Sequence, residues 1–286
     1  MTFVLLHGLG SDRRQPLELF GPVLEGAGSP ETRGRPGAVR VIAPDVRAHG
    51  ASTIVGEPAD FALDRLAEEV AAEVRDALSG RGGGSAASVA PVDDPTGEAA
   101  PGTAALTILG ISMGAAIALR IALRGLLPVE RAVFVRPAFD DASLPDNLRP
   151  FPVIGQLLAD LGPEAGAERF RATGPYHRVA DASLAGGRGL LTQFSAPDAA
   201  RRARRLVEIP RNRAFTGDAE LAGLGARGIR SLVVGARRDP VHPLELAERW
   251  AGALGAPLEV VPPRDDGLAA QTALLRDRVA RWLAAE

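Results

Sequence analysis

The chain has 286 residues, of which 46% are hydrophobic, and its formal net charge is −2 at pH 7. This balance argues against nucleic acid or a membrane as partner, since such partners bind through clustered basic residues. All 33 basic residues are arginine and there is no cysteine, which excludes lysine Schiff bases, disulfides, thiol nucleophiles and cysteine metal sites.

Short β-rich runs alternate with helical patterns along the chain. We predict strands at 3–6, 39–43, 106–109, 132–135, 231–234 and 258–261, and helices near 63–78, 115–124, 243–253 and 267–284. No charged segment precedes the first strand, which favours a cytoplasmic protein over a secreted one. Strands that alternate with helices form a parallel sheet covered on both faces, so the predicted fold class is α/β.

Two segments interrupt this alternation. Residues 79–102 are rich in Gly, Ser, Pro and Ala, and they are predicted to form a flexible surface loop because they bury too little area to offset the entropy of ordering. Residues 139–227 show helical patterns without a strand, and they stand between two strands of the sheet. We therefore divide the chain into a core of residues 1–138 and 228–286 and a helical cap of residues 139–227.

A sharp turn from strand to helix is predicted at residues 110–114, which read Gly-Ile-Ser-Met-Gly. Such a turn needs small residues at Gly110 and Gly114. It lifts the hydroxyl of Ser112 above the edge of the sheet and points the next backbone N–H into the same space. The pattern predicts a nucleophilic serine, and the alternative is a serine that only caps the helix.

A serine nucleophile needs a base, usually a histidine. The chain has four histidines, and none lies beyond position 243. His7 and His49 lie in glycine turns, where ring nitrogens usually satisfy backbone groups. His242 lies three residues after Asp239, on the loop that follows the fifth predicted strand. His177 lies in the predicted cap and is the other candidate base.

The chain resembles the α/β-hydrolase superfamily over nearly its whole length. Four segments match that family's motifs in order: His-Gly-Leu-Gly at 7–10, Asp-Val-Arg-Ala-His-Gly-Ala-Ser at 45–52, the turn at 110–114, and Gly-Ala-Arg-Arg-Asp-Pro-Val-His-Pro at 235–243. The resemblance implies the α/β-hydrolase fold, a mostly parallel sheet with helices on both faces and a helical cap. Two departures stand out. The chain starts at what resembles the family's third strand, and residues 262–267 carry two aspartates where the catalytic histidine should stand.

The resemblance also implies roles for individual residues. Ser112 would attack the substrate, the backbone N–H groups of Leu9 and Met113 would hold the developing oxyanion, and Asp239 would be the acid. His242 is the preferred base because it shares a short loop with Asp239. Further candidate contacts with the substrate are Arg136, Tyr176 and His177.

Other acids and bases stay open. Asp140 and Asp141 follow the strand predicted at 132–135, where this family can also place an acid. Asp265 or Asp266 could replace the histidine, but an ordinary carboxyl pKa of ~3.9 matches a serine proton poorly. Without a relocated histidine, ester hydrolysis should be weak, because an oxyanion hole and binding alone leave only ~10³–10⁴-fold acceleration.

The predicted function is hydrolysis of a small-molecule ester, thioester, lactone or related acyl substrate. We predict no metal and no organic cofactor, since the chain has no clustered Cys/His set and no phosphate-binding loop. Two alternatives stay open. One is a non-hydrolytic cyclase, isomerase or lyase of secondary metabolism on the same scaffold, and the other is a catalytically silent ligand-binding protein. The sequence does not indicate an oligomeric state.

Overall fold

The computed structural model describes residues 1–26, 39–80 and 105–285, together with the backbone of residues 87–89. Within these residues the strands form one seven-stranded sheet in the order β3-β2-β1-β4-β5-β6-β7. The β2–β3 pair is antiparallel and the other neighbours are parallel. The strands are β1 (Thr2–Leu6), β2 (Arg40–Ala43), β3 (Ala87–Val89), β4 (Leu106–Ile111), β5 (Val129–Val135), β6 (Arg230–Ala236) and β7 (Leu258–Val261).

Helices cover both faces of this sheet. Side chains alternate along β1, so that Phe3 and Leu5 join the apolar cluster under α1 and α10, whereas Val4 and Leu6 join the cluster on the opposite face. The helices are α1 (Arg14–Gly26), α2 (Leu63–Leu78), α3 (Met113–Leu123), α4 (Pro150–Arg171), α5 (Gly174–Ala182), α6 (Leu184–Leu191), α7 (Arg204–Glu208), α8 (Asp218–Ala226), α9 (Leu244–Leu254) and α10 (Leu268–Ala284). The predicted fold class is confirmed.

The short strand β3 lies inside the segment predicted to be a flexible loop, so that prediction is wrong for Ala87–Val89. It pairs with β2 through Val41↔Val89 and Ala43↔Ala87. Strand pairing at the edge of a sheet uses backbone groups and needs no run of large apolar side chains, which is why composition did not reveal it. Except for residues 79 and 80, the rest of the predicted loop lies outside the described residues.

Between β5 and β6 the chain is helical, from α4 to α8. Helix α4 has a kink at Gly162, whose φ is 75° and which precedes Pro163. Helix α4 packs against α7, and α5 packs against α6. Helix α8 instead packs against α3 and α9, in the layer that covers the sheet, although its residues fall in the range assigned to the cap. In the part of the chain that the structure describes, no helix is long and apolar enough to span a lipid bilayer.

Candidate active site

The turn between β4 and α3 holds Ser112 in a strained backbone conformation. Its φ is 55° and its ψ is −112°, values that a residue with a side chain rarely adopts. A Cβ atom at Gly110 would lie 2.2 Å from the carbonyl oxygen of Gly114, and one at Gly114 would lie 2.4 Å from that of Leu6. The two glycines therefore let β1, β4 and α3 approach closely enough to present the serine at the carboxyl edge of the sheet.

Three polar side chains form a continuous chain of hydrogen bonds at this edge. The Ser112 hydroxyl lies 2.9 Å from Nε2 of His242. On the other side of the ring, Nδ1 lies 3.0 Å from Oδ2 of Asp239. With the ring proton on Nδ1, the hydroxyl donates to Nε2 and Nδ1–H donates to the carboxylate. The structure thus brings together the predicted nucleophile, acid and base.

One loop between β6 and α9 supplies both the carboxylate and the imidazole. Oδ1 of Asp239 accepts the backbone N–H groups of Val241 and His242, at 3.2 and 3.1 Å, which leaves Oδ2 to face the ring. The side-chain amide of Asn147 donates to the carbonyl oxygens of Val241 and Ala138, at 2.8 and 3.0 Å, and so ties this loop to the chain after β5. The motif around Asp239 gave no signal for Asn147, which sequence reasoning missed.

The charges around the loop fix the protonation states of the pair. Burial alone would raise the pKa of the Asp239 carboxyl, but His242 and then Arg136 outweigh it and hold that pKa well below its usual range. Burial lowers the pKa of His242 below its ordinary value of 6.5, although the Asp239 carboxylate opposes this shift; Arg136 and Arg264 lower it further. At pH 7 the carboxyl is therefore ionised and the imidazole is neutral.

Two backbone N–H groups are predicted to bind an oxyanion. Met113 directly follows Ser112, and Leu9 lines the same cavity as Ser112. Met113 is the first residue of α3, where N–H groups have no acceptor within the helix. Leu9 follows β1, and in the described part of the chain its N–H has no acceptor. The preceding residue, Gly8, donates its N–H to Oε1 of Gln15 at 2.8 Å, which holds the turn after β1.

A cavity of about 220 Å³ opens over the serine and the imidazole. Its roof comes from Phe151 of α4 and from Gly186, Gly189 and Leu190 of α6. No acidic side chain lines it, whereas two arginines do. Its polar lining residues besides the serine and the imidazole are Ser11, Gln15, Arg136, Thr192, Gln193 and Arg264. A small acyl compound fits this volume, which lies below the usual range for drug-sized ligands.

Two candidate contacts on α5 lie away from this cavity. Tyr176 packs edge-to-face on Phe170, with ring centroids 5.5 Å apart, and His177 is exposed next to it. Neither side chain lines the cavity over the serine. His177 therefore does not reach the serine in this structure, and only Arg136 of the three predicted contacts lies at the site.

The alternative carboxylates are engaged elsewhere. Asp141 forms two 2.7 Å contacts with the Arg249 guanidinium, and Asp140 accepts the N–H of Ala142 at 2.7 Å. Asp265 accepts the Ser183 hydroxyl and the N–H of Ala185 at the start of α6, at 2.5 and 2.8 Å, and Asp266 pairs with Arg238. None of these four carboxylates lines the cavity.

The remaining two histidines hold backbone loops. His7 is buried, and its Nε2 accepts the N–H of Val46 at 3.0 Å while Nδ1 donates to the carbonyl of Gly8 at 2.9 Å. His49 is buried and its Nδ1 donates to the carbonyl of Arg47 at 2.8 Å. Among the residues that have assigned positions, no group of three or more His, Asp or Glu side chains is arranged to hold a metal ion.

Comparisons with known proteins identify the family to which the chain belongs. A sequence model described as "Alpha/beta hydrolase family" matches residues 3–275. No curated protein matches the sequence. A hydrolase from Pseudomonas aeruginosa PA01 is similar in structure, with 20% identity, a TM-score of 0.64, and coverage of 99% of this chain and 90% of that one.

Two further solved structures share the fold. A thermophilic esterase from Thermogutta terrifontis, solved with malate bound, has 18% identity and a TM-score of 0.56, and the match covers 100% of this chain and 91% of the esterase. An enol-lactonase from Burkholderia xenovorans LB400 has 18% identity and a TM-score of 0.60, and the match covers 99% of this chain and 91% of the enol-lactonase. These identities show the fold alone, but the sequence model spans nearly the whole chain. The protein belongs to the alpha/beta hydrolase family.

Proposed function

We propose that this protein hydrolyses a small-molecule ester, thioester or lactone with Ser112 as its nucleophile. The observation that carries the proposal is the continuous hydrogen-bonded chain from the serine hydroxyl through His242 to Asp239, at the wall of a cavity. The usual histidine beyond the last strand is not needed, because His242 supplies an imidazole from the loop of the acid. The esterase and the enol-lactonase of the same fold make an acyl substrate the natural class.

The geometry supports acyl transfer in two steps. As Ser112 Oγ attacks the acyl carbon, Nε2 of His242 takes its proton and the carbonyl oxygen becomes an oxyanion facing the N–H groups of Leu9 and Met113. Collapse breaks the bond to the leaving group, which receives the proton from Nε2. Water then attacks the acyl-enzyme and gives a proton to Nε2, and the second collapse returns that proton to Ser112 Oγ. Asp239 holds Nδ1–H throughout.

The pH dependence of hydrolysis should reflect the buried imidazole. A protonated His242 cannot accept the serine proton, so kcat/KM falls as the pH drops through its pKa in the free enzyme. Burial together with Arg136 and Arg264 lowers that pKa below 6.5 against the opposing effect of Asp239. We expect the acid limb of a kcat/KM profile on an activated ester to have its midpoint below pH 6.5. A midpoint above 7 would mean that Asp239 dominates or that another group is the base.

We also propose that helices α4 to α7, which lie between β5 and β6, form a cap that sets substrate choice. The Asp265 carboxylate holds the start of α6 through Ser183 and Ala185, and α6 forms part of the cavity roof. The Asp265→Ala variant should raise KM by about three- to tenfold with little change in kcat, because the roof loses two hydrogen bonds to a carboxylate. Asp266→Ala, which removes only a surface pair with Arg238, is the matched control and should leave KM unchanged.

Steady-state kinetics on one activated ester measure both variants. Equal KM values for the two variants would contradict a role of this contact in substrate binding. A large fall in kcat for Asp265→Ala would instead place this loop in the chemical step.

A further inference from the structure

Two arginines face the cavity without a matching set of acceptors. Arg136 follows β5 directly, its side chain is 12% exposed, and its nearest carboxylate is Asp239, 3.9 Å away. Its Nε is buried and has no hydrogen-bond partner. Arg264 follows β7, in the loop where the family resemblance expects a histidine. Within the residues whose positions are described, its guanidinium forms no hydrogen bond or ion pair.

The one nearby carboxylate is already engaged. Both oxygens of Asp239 accept hydrogen bonds from the loop of His242. Burial, and then Arg264, lower the pKa of Arg136 to about 10 while Asp239 opposes them, so the guanidinium stays charged at neutral pH. Two guanidinium groups therefore line the cavity, and the carboxylate nearest to Arg136, that of Asp239, lies outside the lining and serves the imidazole. A buried charge without a partner is costly, and arginine pairs with carboxylates in a planar, two-pronged geometry.

We propose that the substrate carries a carboxylate group, which Arg136 and Arg264 bind beside the acyl carbon that Ser112 attacks. The inference rests on the proposed function, since it names the substrate class of the same site. The cavity volume of about 220 Å³ accommodates a short acyl chain. The half-ester of a short dicarboxylic acid, or a lactone bearing a carboxylate, has the required chemistry. Gly189 of α6 leaves the space next to Arg264 open, since a Cβ there would lie 4.0 Å from its Nη2.

Two substrates of equal shape test this inference. The mono-p-nitrophenyl ester of glutaric acid carries a carboxylate, and p-nitrophenyl 4-carbamoylbutanoate has an uncharged amide in its place. We expect the wild-type protein to prefer the charged ester by about 10- to 100-fold in kcat/KM, the range that charge-assisted hydrogen bonds provide. Arg136→Gln and Arg264→Gln should each reduce this preference to within about threefold of unity.

The ratio of kcat/KM for the charged ester to kcat/KM for the uncharged ester separates substrate recognition from an effect on the base, His242. Either substitution also raises the pKa of His242, because each arginine lowers it, but that change acts on both esters alike and cancels. Arg237→Gln removes the same charge from an exposed side chain that does not line the cavity, and it should keep the wild-type preference. Wild-type protein that shows no preference for the charged ester would overturn the inference while leaving serine hydrolysis intact.

A binding measurement tests the carboxylate site even if hydrolysis proves not to depend on Ser112. Glutarate should raise the melting temperature of the wild-type protein, and of Arg237→Gln, more than glutaramide does. Arg136→Gln and Arg264→Gln should lose this difference. The Ser112→Ala variant should keep it, because the serine contributes no charge. If one arginine variant fails to fold, the other variant and the melting temperature of the wild-type protein with glutarate still test the inference. Equal rises in the melting temperature of the wild-type protein with glutarate and with glutaramide would contradict a carboxylate site.

Discussion

Replacing Ser112 by alanine should lower kcat/KM on an activated ester by roughly 10⁴–10⁶-fold, the largest effect we expect from any single substitution. The variant would keep the oxyanion N–H groups and the cavity, which alone give only ~10³–10⁴-fold acceleration over water. The His242→Ala variant should lose about as much activity, and the double variant little more, because members of one catalytic unit fail together. Kinetics at several pH values on p-nitrophenyl acetate measure all three.

Two further variants test which residues belong to the catalytic unit of Ser112 and His242. Asp239→Asn should cost about 10⁴-fold, because an amide in place of the carboxylate turns the imidazole to the wrong tautomer. His177→Ala is the control, since that side chain is exposed on α5 and does not line the cavity, and it should be silent. Turnover that survives in Ser112→Ala would favour a non-hydrolytic enzyme on this scaffold. Ligand binding without turnover in the wild-type protein would favour a silent binding protein.

Adding one methyl group at Gly114 should unfold the turn between β4 and α3. The new Cβ would lie 2.4 Å from the carbonyl oxygen of Leu6 and 2.8 Å from that of His7, so α3 would have to move away from β1. We expect Gly114→Ala to lower the free energy of unfolding by more than about 3 kcal/mol, or to prevent soluble expression, because backbone atoms cannot move aside as a side chain can.

Gly252→Ala is the matched control, since a Cβ at that position in α9 meets nothing within 4 Å. Removing a glycine from a helix should stabilise the protein by about 0.5–1 kcal/mol. Chemical denaturation with a probe of both secondary structure and tryptophan fluorescence measures the two variants. A Gly114→Ala protein as stable as the wild type would show that β1 and α3 do not approach as closely as described.

Much of the fold was predictable because its pattern is local. Alternating strands and helices predicted the parallel sheet, and β7 begins and ends at the predicted residues. The glycines of residues 110–114 are required by backbone contacts that any chain with this turn must make. The strand β3 was missed because its pairing with β2 uses backbone groups that composition does not report.

The candidate site was less predictable because it depends on side-chain direction. The spacing of Asp239 and His242 indicated that the two residues share a loop, but it did not predict the direction of the imidazole ring. The backbone N–H groups that donate to Oδ1 of Asp239 help to set that direction. Arg264 lies in the loop where the family resemblance expects a histidine, and nothing in its local sequence indicates that its guanidinium faces the cavity. The placement of α8 against α3 and α9 likewise depends on tertiary packing that has no local pattern.

Covalent trapping of the nucleophile tests the central claim most directly. The wild-type protein treated with diethyl p-nitrophenyl phosphate should release one equivalent of p-nitrophenol, lose its esterase activity, and carry one diethylphosphoryl group on the peptide that contains Ser112. His242→Ala should react far more slowly, because its serine has no base, and Ser112→Ala should not be labelled. An active wild-type protein that stays unlabelled, or is labelled at another residue, would contradict Ser112 as the nucleophile.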